Sequence, residues 1–243
     1  MFQVKYVTRE CLWNKDTVKK LIFNLSNIYT INPNEFVVNI AIKSNQNTEL
    51  NYFEILITIV LSQNTSDRNA IRAFNALKNM VKEVTPKNIL AIDDESLKNA
   101  IRVAGLANRK SNVLKKLAYI MSSKPEFFRE IALLDVEEAR KKLLELPGIG
   151  FKTADVFLLL VLKKPTFPID THINRVVRRL GIADPGDGYE DIRLKIVKLL
   201  ESDIDSLSKL HMLLIIHGRR VCTSRNPKCS LCTVSELCCK IIQ

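Results

Sequence analysis

The sequence predicts an all-α protein, and three observations carry that prediction. Only 7 Gly and 8 Pro occur among 243 residues, little punctuation for a chain of short strands. Apolar residues recur at three-to-four spacing, as in LKNAIRVAGL (Leu97–Leu106) and VLKKLAYIM (Val113–Met121), which is the period of one helix face. No Asn-Gly or Asp-Gly pair lies between β-branched runs, since Asp187-Gly188 sits inside DPGDGYED, a loop between two helical stretches.

In chain order, a sheet is not expected, with Phe36–Lys43 the one stretch where a strand competes. The polar Ser44–Asn51 (SNQNTELN) reads as a boundary. Tyr52–Ser62 (YFEILITIVLS) is apolar nearly all round and so predicts a buried central helix. Thr85-Pro86 supplies an N-cap with Pro at the first helical position, and Asp135 stands ahead of VEEARKKLLEL. Gly105 and Gly181 sit where helices can end. Thr153–Lys163 (TADVFLLLVLK) is a second buried helix, Lys163–Pro168 (KKPTFP) breaks it, and the region beyond Pro185 is helical again up to a cysteine cluster. Roughly ten helices with short loops are expected. If the two flanks pack together, one domain is inserted into the other.

Composition narrows the function. With 37 Lys and Arg against 26 Asp and Glu, the chain carries +11 and calls for a polyanionic partner. At 47% hydrophobic and 26% charged it is globular, which excludes disorder, collagen and coiled coil. Its longest uncharged apolar runs, Ile55–Leu61 and Val156–Leu162, fall far short of the ~20 residues a membrane span needs. Met1–Glu10 lacks the apolar core of a secretory signal, so an intracellular, reducing setting is expected. Four of the six cysteines lie between Cys222 and Cys238, a clustering that favours a metal site over a disulfide framework. Cys11 is expected to be a buried thiol.

The most informative segment is LLELPGIGFKTA (Leu143–Ala154). One helix ends at Leu146, Pro147 breaks it, Gly148 and Gly150 flank a single Ile, and a second helix begins near Thr153. Such a turn lets backbone N–H groups and a helix dipole approach a phosphate; a ligand-free turn is the plainer alternative. Lys152 opens that second helix, where the dipole disfavours its charged form. A nucleophilic lysine needs such help, because at a pKa of about 10.4 only about one in 2,500 is neutral at pH 7; a simple phosphate contact is the alternative role. Asp170 follows 18 residues later in FPIDTHINRVVRR. Pro168 and Ile169 set it at the head of a helix, where it serves as an N-cap. An antiparallel return of the chain would also bring it towards the glycine turn, so that a lysine and a carboxylate share one cleft.

Leu-Pro-Gly-Ile-Gly-x-Lys-Thr-Ala followed by the Asp of Asp-Thr-His-Ile-x-Arg-Val resembles the endonuclease III family of helix-hairpin-helix DNA glycosylases. Cys222-x6-Cys229-x2-Cys232-x5-Cys238 is similar to that family's [4Fe-4S] spacing. One compact cluster is wrapped by a single loop, whereas so short a window has no spacer for two zinc knuckles; zinc is the alternative metal, and Cys239 is an alternative ligand to Cys238. LSQNTSD (Leu61–Asp67) looks like the family's loop that enters DNA, with Gln63 or Asn64 in register to fill the gap left by an extruded base. His217-Gly218-Arg219 also resembles the family, although His172, His211 and His217 read as core residues.

The resemblance covers 51–238. It implies a helix-hairpin-helix glycosylase fold with a six-helix domain at 52–164 and a second helical domain from 1–51 and 165–243 that carries the [4Fe-4S] cluster. It further implies a monomer, cytoplasmic or nucleoid-associated, that acts on double-stranded DNA containing a damaged base or an abasic site. Lys152 and Asp170 would be catalytic. Gln63, Asn64, Gly148, Gly150, Thr153, Arg225 and Lys228 would contact DNA, and Cys222, Cys229, Cys232 and Cys238 would hold the metal. The implied activity is combined glycosylase and β-lyase, with oxidised pyrimidines as the default substrates. The alternatives are a mismatch-directed uracil or thymine glycosylase and a non-catalytic DNA-binding module. Residues 1–50 and the form of LSQNTSD depart from the family pattern and leave the substrate open.

Overall fold

The computed structural model describes residues 6–8, 12–43 and 49–242. The expectations placed on Met1–Glu10 and on the Cys11 thiol fall wholly or mostly outside them, as does most of the Ser44–Asn51 boundary. The described residues divide into two compact units: those up to Ile31 together with those from Lys163 on, and residues 32–162. The second unit is contiguous in sequence and the first is not.

In the contiguous unit a 3-10 turn at Pro33–Glu35 leads into α2 (Val37–Lys43), then α3 (Glu49–Ser62), α4 (Asp67–Val81), α5 (Pro86–Ala91), α6 (Asp94–Ile101) and α7 (Ala107–Ser123). These are followed by α8 (Phe127–Leu133), α9 (Val136–Leu144) and α10 (Phe151–Val156), which runs on as a π-helical turn at Phe157–Val161. α3 is the central helix: Phe53, Leu56, Ile57, Ile59, Val60 and Leu61 are all buried, and it packs on α2, α4, α7 and α8. Tyr52, Phe128 and Phe157 close one side with ring centroids 5.6–6.2 Å apart, spacings at which aromatic pairs attract beyond their area. Ser66, Thr85, Asp93 and Asp135 each accept a backbone N–H at the start of their helices, the capping that their residue types dictate.

The stretch Phe36–Lys43 is not a strand. It forms helix α2, whose apolar residues pack on α3 and α4, so tertiary packing outweighs the β propensity of Val37, Val38, Ile40 and Ile42. The compact unit starts at residue 32, ahead of the boundary at 51–52 that the sequence predicts.

The other unit comprises α1 (Lys15–Ser26), α11 (Thr171–Leu180), α12 (Tyr189–Leu199) and α13 (Ile204–Arg220). A two-stranded antiparallel pair, β1 (Tyr6–Thr8) with β2 (Lys240–Ile242), is the only sheet among the described residues. α13 is buried over most of its length from Leu207 to Gly218 and packs on α11 and α1. Gly218 permits that close packing, since a Cβ there would come within 2.9 Å of the His172 side chain. Gly181, at φ +80°, ends α11 in the left-handed conformation that favours glycine.

Candidate active site and metal centre

The hairpin forms between α9 and α10. Gly148 has φ +74°, and a Cβ there would meet the Val113 side chain at 2.7 Å, so both backbone and space require glycine. Gly150 is the N-cap of α10, brings no side-chain acceptor, and has nothing within 4 Å of an added Cβ. Its open surface is what an approaching phosphate needs. Ile149 between them is buried and anchors the turn. Lys152 lies in the first turn of α10, half-buried. Beneath it, Arg140 of α9 pairs with the fully buried Asp155 of α10 at 2.8 Å through Nε, and its guanidinium stacks 5.0 Å from the Phe151 ring centroid. This pair ties the two hairpin helices together.

The polar loop after α3 meets the same turn. Gln63 donates from Nε2 to the Gly148 carbonyl at 2.9 Å and to Thr153 Oγ1 at 3.0 Å. The structure therefore brings Gln63, Gly148 and Thr153 into one cluster, while the neighbouring Asn64 is exposed at φ +52°. Beside this loop lies Lys110, only 3% exposed, whose ammonium donates to the carbonyls of Leu61 at 2.8 Å and Ala104 at 2.9 Å. Burial pushes its pKa down to about 8. A depressed lysine pKa is a mark of a nucleophile, but an ammonium sealed between two carbonyls has no path to a substrate. Leu106 caps α7 at φ +52° and is 52% exposed, an uncommon backbone for a leucine.

Asp170 belongs to the other unit, where it is the N-cap of α11 and accepts from the Ile173 N–H at 2.7 Å through Oδ1. The capping role is therefore real. Its charge also reaches His172, whose pKa burial lowers and Asp170 partly restores. Further along α11, Arg175 donates to the carbonyls of Cys222 and Gly218 at 2.9 and 2.7 Å. Arg179 donates to the carbonyls of Thr223 and Ser224 at 2.6 and 3.1 Å. Two arginines of one helix thus hold the start of the cysteine loop, with Arg225 and Lys228 exposed on its outside.

Cys222, Cys229, Cys232 and Cys238 are in no disulfide and line one cavity, together with His217 and Arg179. Tyr29 Oη lies 3.0 Å from His217 Nδ1, and His217 Nε2 lies 3.7 Å from Cys232 Sγ. Burial pushes His217 down to about 4 and raises Tyr29 above its usual value. A neutral imidazole that accepts from the Tyr29 hydroxyl carries its one N–H on Nε2, facing the thiol. His217 is a core residue, as expected, and it is also a contact of the cysteine site.

The model of the HhH-GPD superfamily of base excision DNA repair proteins matches residues 57–202, and that of the iron-sulfur binding domain of endonuclease III matches residues 222–238. Endonuclease III of Sulfolobus acidocaldarius is 36% identical over 92% of this chain and 96% of its own length. The chain belongs to the endonuclease III family. The Escherichia coli K12 endonuclease III is 34% identical over 79% of this chain and 86% of its own. Among solved structures, a non-covalent endonuclease III–DNA complex superposes with a TM-score of 0.73 at 24% identity, covering 93% and 96% of the two chains, and a thermostable thymine-DNA glycosylase reaches 0.61 at 20%. These two likenesses bear on the fold. Endonuclease III enzymes are base-excision DNA glycosylases that are also abasic-site lyases, and this chain is a DNA-binding enzyme of that kind.

The endonuclease III cofactor is a [4Fe-4S] cluster, and the cysteine cavity fits it. All four thiols line this one cavity, and four thiols at a single site are the donor set such a cluster takes. Burial and the three other thiols raise Cys232 to about 11, so the positive charge that bound iron would supply is what would ionise such a set. Cys239, the alternative ligand to Cys238, is buried against Gly181, with its Sγ 2.6 Å from the Leu180 carbonyl.

Several site contacts escape sequence reasoning. Lys110 sits in ANRKSNV and looks like any surface lysine, and nothing in the letters signals the left-handed Leu106. Arg175 and Arg179 do carry a signal, because two arginines four apart on an amphipathic helix share a face.

Proposed function

We propose that this member of the endonuclease III family uses Lys152 as the nucleophile of a combined DNA glycosylase and β-lyase, with Asp170 as its carboxylate and Cys222, Cys229, Cys232 and Cys238 as the cluster ligands. The observation that carries the reading is Lys152 in the first turn after a hairpin whose Gly148 makes the tight turn and whose Gly150 leaves open space for the DNA backbone. The enzyme bends the duplex and extrudes the damaged nucleotide, at a cost of a few kcal/mol that is smallest for a weakly paired lesion. The Lys152 lone pair attacks C1′, the glycosidic bond breaks, and the base leaves with the bonding electrons. Asp170 stabilises the cationic sugar or helps take the lysine proton. The C1′–O4′ bond then opens to a Schiff base, a 2′ proton is lost, and the 3′ phosphate departs by β-elimination.

Asn64 is the amide suited to fill the vacated space, because it is exposed while Gln63 is bonded to the hairpin. Leu106, an exposed apolar side chain on a constrained backbone, suits the wedge that minor-groove binders insert between bases. The family default makes oxidised pyrimidines the substrates, with the enzyme a monomer acting in the cytoplasm or on the nucleoid. Borohydride reduction on lesion DNA tests the core of the reading: wild type is trapped as a covalent complex, and Lys152→Gln is not. Trapping of Lys152→Gln at the wild-type level overturns it. Duplexes with thymine glycol, 8-oxoguanine, uracil or an abasic site test the substrate class, with thymine glycol expected to be preferred to 8-oxoguanine and uracil.

A further inference from the structure

Among the described residues three cations are buried: Arg140, Arg193 and Lys110. Arg140 has Asp155 and Arg193 has Glu190, but Lys110 has no carboxylate partner among the described residues and is held by the carbonyls of Leu61 and Ala104. A buried ammonium without a counter-charge is costly, and capping two helix ends does not require one, because glycine or asparagine does that at the surface. What the ammonium uniquely does is join two segments. The Leu61 carbonyl stands two residues before Gln63, and the Ala104 carbonyl two residues before Leu106. The Lys110 backbone N–H also donates to the Leu106 carbonyl at 2.9 Å. Each joined segment carries one non-glycine residue in the left-handed region, Asn64 and Leu106, both at φ +52°. Such conformations persist only where the surroundings over-determine them, and they gather at functional sites.

We propose that Lys110 is a positioning residue for base extrusion, whose ammonium fixes the loop carrying Gln63 and Asn64 and the turn carrying Leu106 at one separation, so that the amide and the leucine enter the duplex as a single rigid probe. This rests on the reading that both segments enter DNA. Lys110 itself touches neither DNA nor the reacting sugar.

A double-mutant cycle on the intact enzyme tests it. Fluorescence of 2-aminopurine placed opposite an abasic site reports extrusion, and single-turnover lyase rates are read on the same duplex and on single-stranded abasic DNA. With Lys110 present, Asn64→Ala and Leu106→Ala are coupled: the double variant loses about tenfold less than the product of the single losses. In a Lys110→Met background the two losses multiply, and the Lys110→Met loss on duplex exceeds its loss on single strands by about tenfold. Multiplying losses in the wild-type background, coupling that survives Lys110→Met, or equal losses on duplex and single strand each overturn the proposal. A merely structural Lys110 gives the last result. If Lys110→Met does not fold, Lys110→Gln is read in the same way. Failure of the wild type itself to cleave abasic DNA is a different result and strikes the lyase reading.

Discussion

Lys152 and Lys110 show how two lysines of one unit come to opposite surroundings. Lys152 stands at a helix start beside an open glycine turn, whereas Lys110 is walled in by two carbonyls. A pH experiment separates them. The folded-state pKa of Lys110, about 8, lies below its ordinary 10.5, so above pH 8 the folded chain releases a proton that the unfolded chain keeps. The Lys110 contribution to stability therefore rises with pH from about 8 to about 10.5 and is flat below that window. Urea unfolding of wild type and Lys110→Met across this range is expected to show the difference growing with pH, and a constant difference contradicts the burial argument. Asp170 can be judged at the same scale. Asn caps helices as well as Asp does, so Asp170→Asn is expected to keep the melting temperature and to lose most of the glycosylase rate. A rate within a few-fold of wild type assigns Asp170 to capping alone.

The hairpin shows which elements a sequence discloses. Pro147, the two glycines and the cap at Asp135 are local signals, and the structure uses each of them where the letters stand. The Arg140–Asp155 pair was hidden, because on paper both are ordinary helix charges, and only the packing of α9 on α10 removes them from water. Removing one member strands the other. Arg140→Met is expected to lower stability by about 3–5 kcal/mol, and Arg140→Met with Asp155→Leu to recover much of it, as thermal melts will show. α2 teaches the converse. Its run of β-branched residues suggests a strand, but a partner helix, not propensity, decides the outcome. The cysteine spacing was legible because a cluster demands four thiols within one loop. The arginine clamp from α11 is legible only in part: the spacing of Arg175 and Arg179 puts them on one helix face, but their carbonyl partners 43 to 47 residues away leave no trace in local pattern.

For the whole molecule the net charge of +11 sets the long-range behaviour. About five neutralised phosphates give a log-log salt slope near −4.5 for DNA binding, and a flat profile contradicts an electrostatic interface. The cluster is expected to serve as structural support. With the four cysteines as the proposed ligands its coordination would be complete, and the protein is expected to be yellow-brown, with absorbance at about 400 nm. Cys232→Ala is expected to cost solubility or stability. Replacing Arg225 and Lys228 with Ala is expected to weaken DNA binding while leaving the colour unchanged, and unchanged affinity removes that loop from the interface.

The division into one contiguous unit and one assembled from distant segments also orders the birth of the protein. Residues 32–162 leave the ribosome together and bring all their mutual contacts with them, so this unit is free to fold while synthesis continues. α1 emerges before any of it, yet its packing partner α13 begins only at Ile204, and the four thiols come later still. The early helix must wait, with its apolar face of Val18, Leu21, Ile22 and Leu25 exposed to the cell, for nearly the length of the described chain. Any shortage of iron is thus felt last, by a protein whose hairpin is already built.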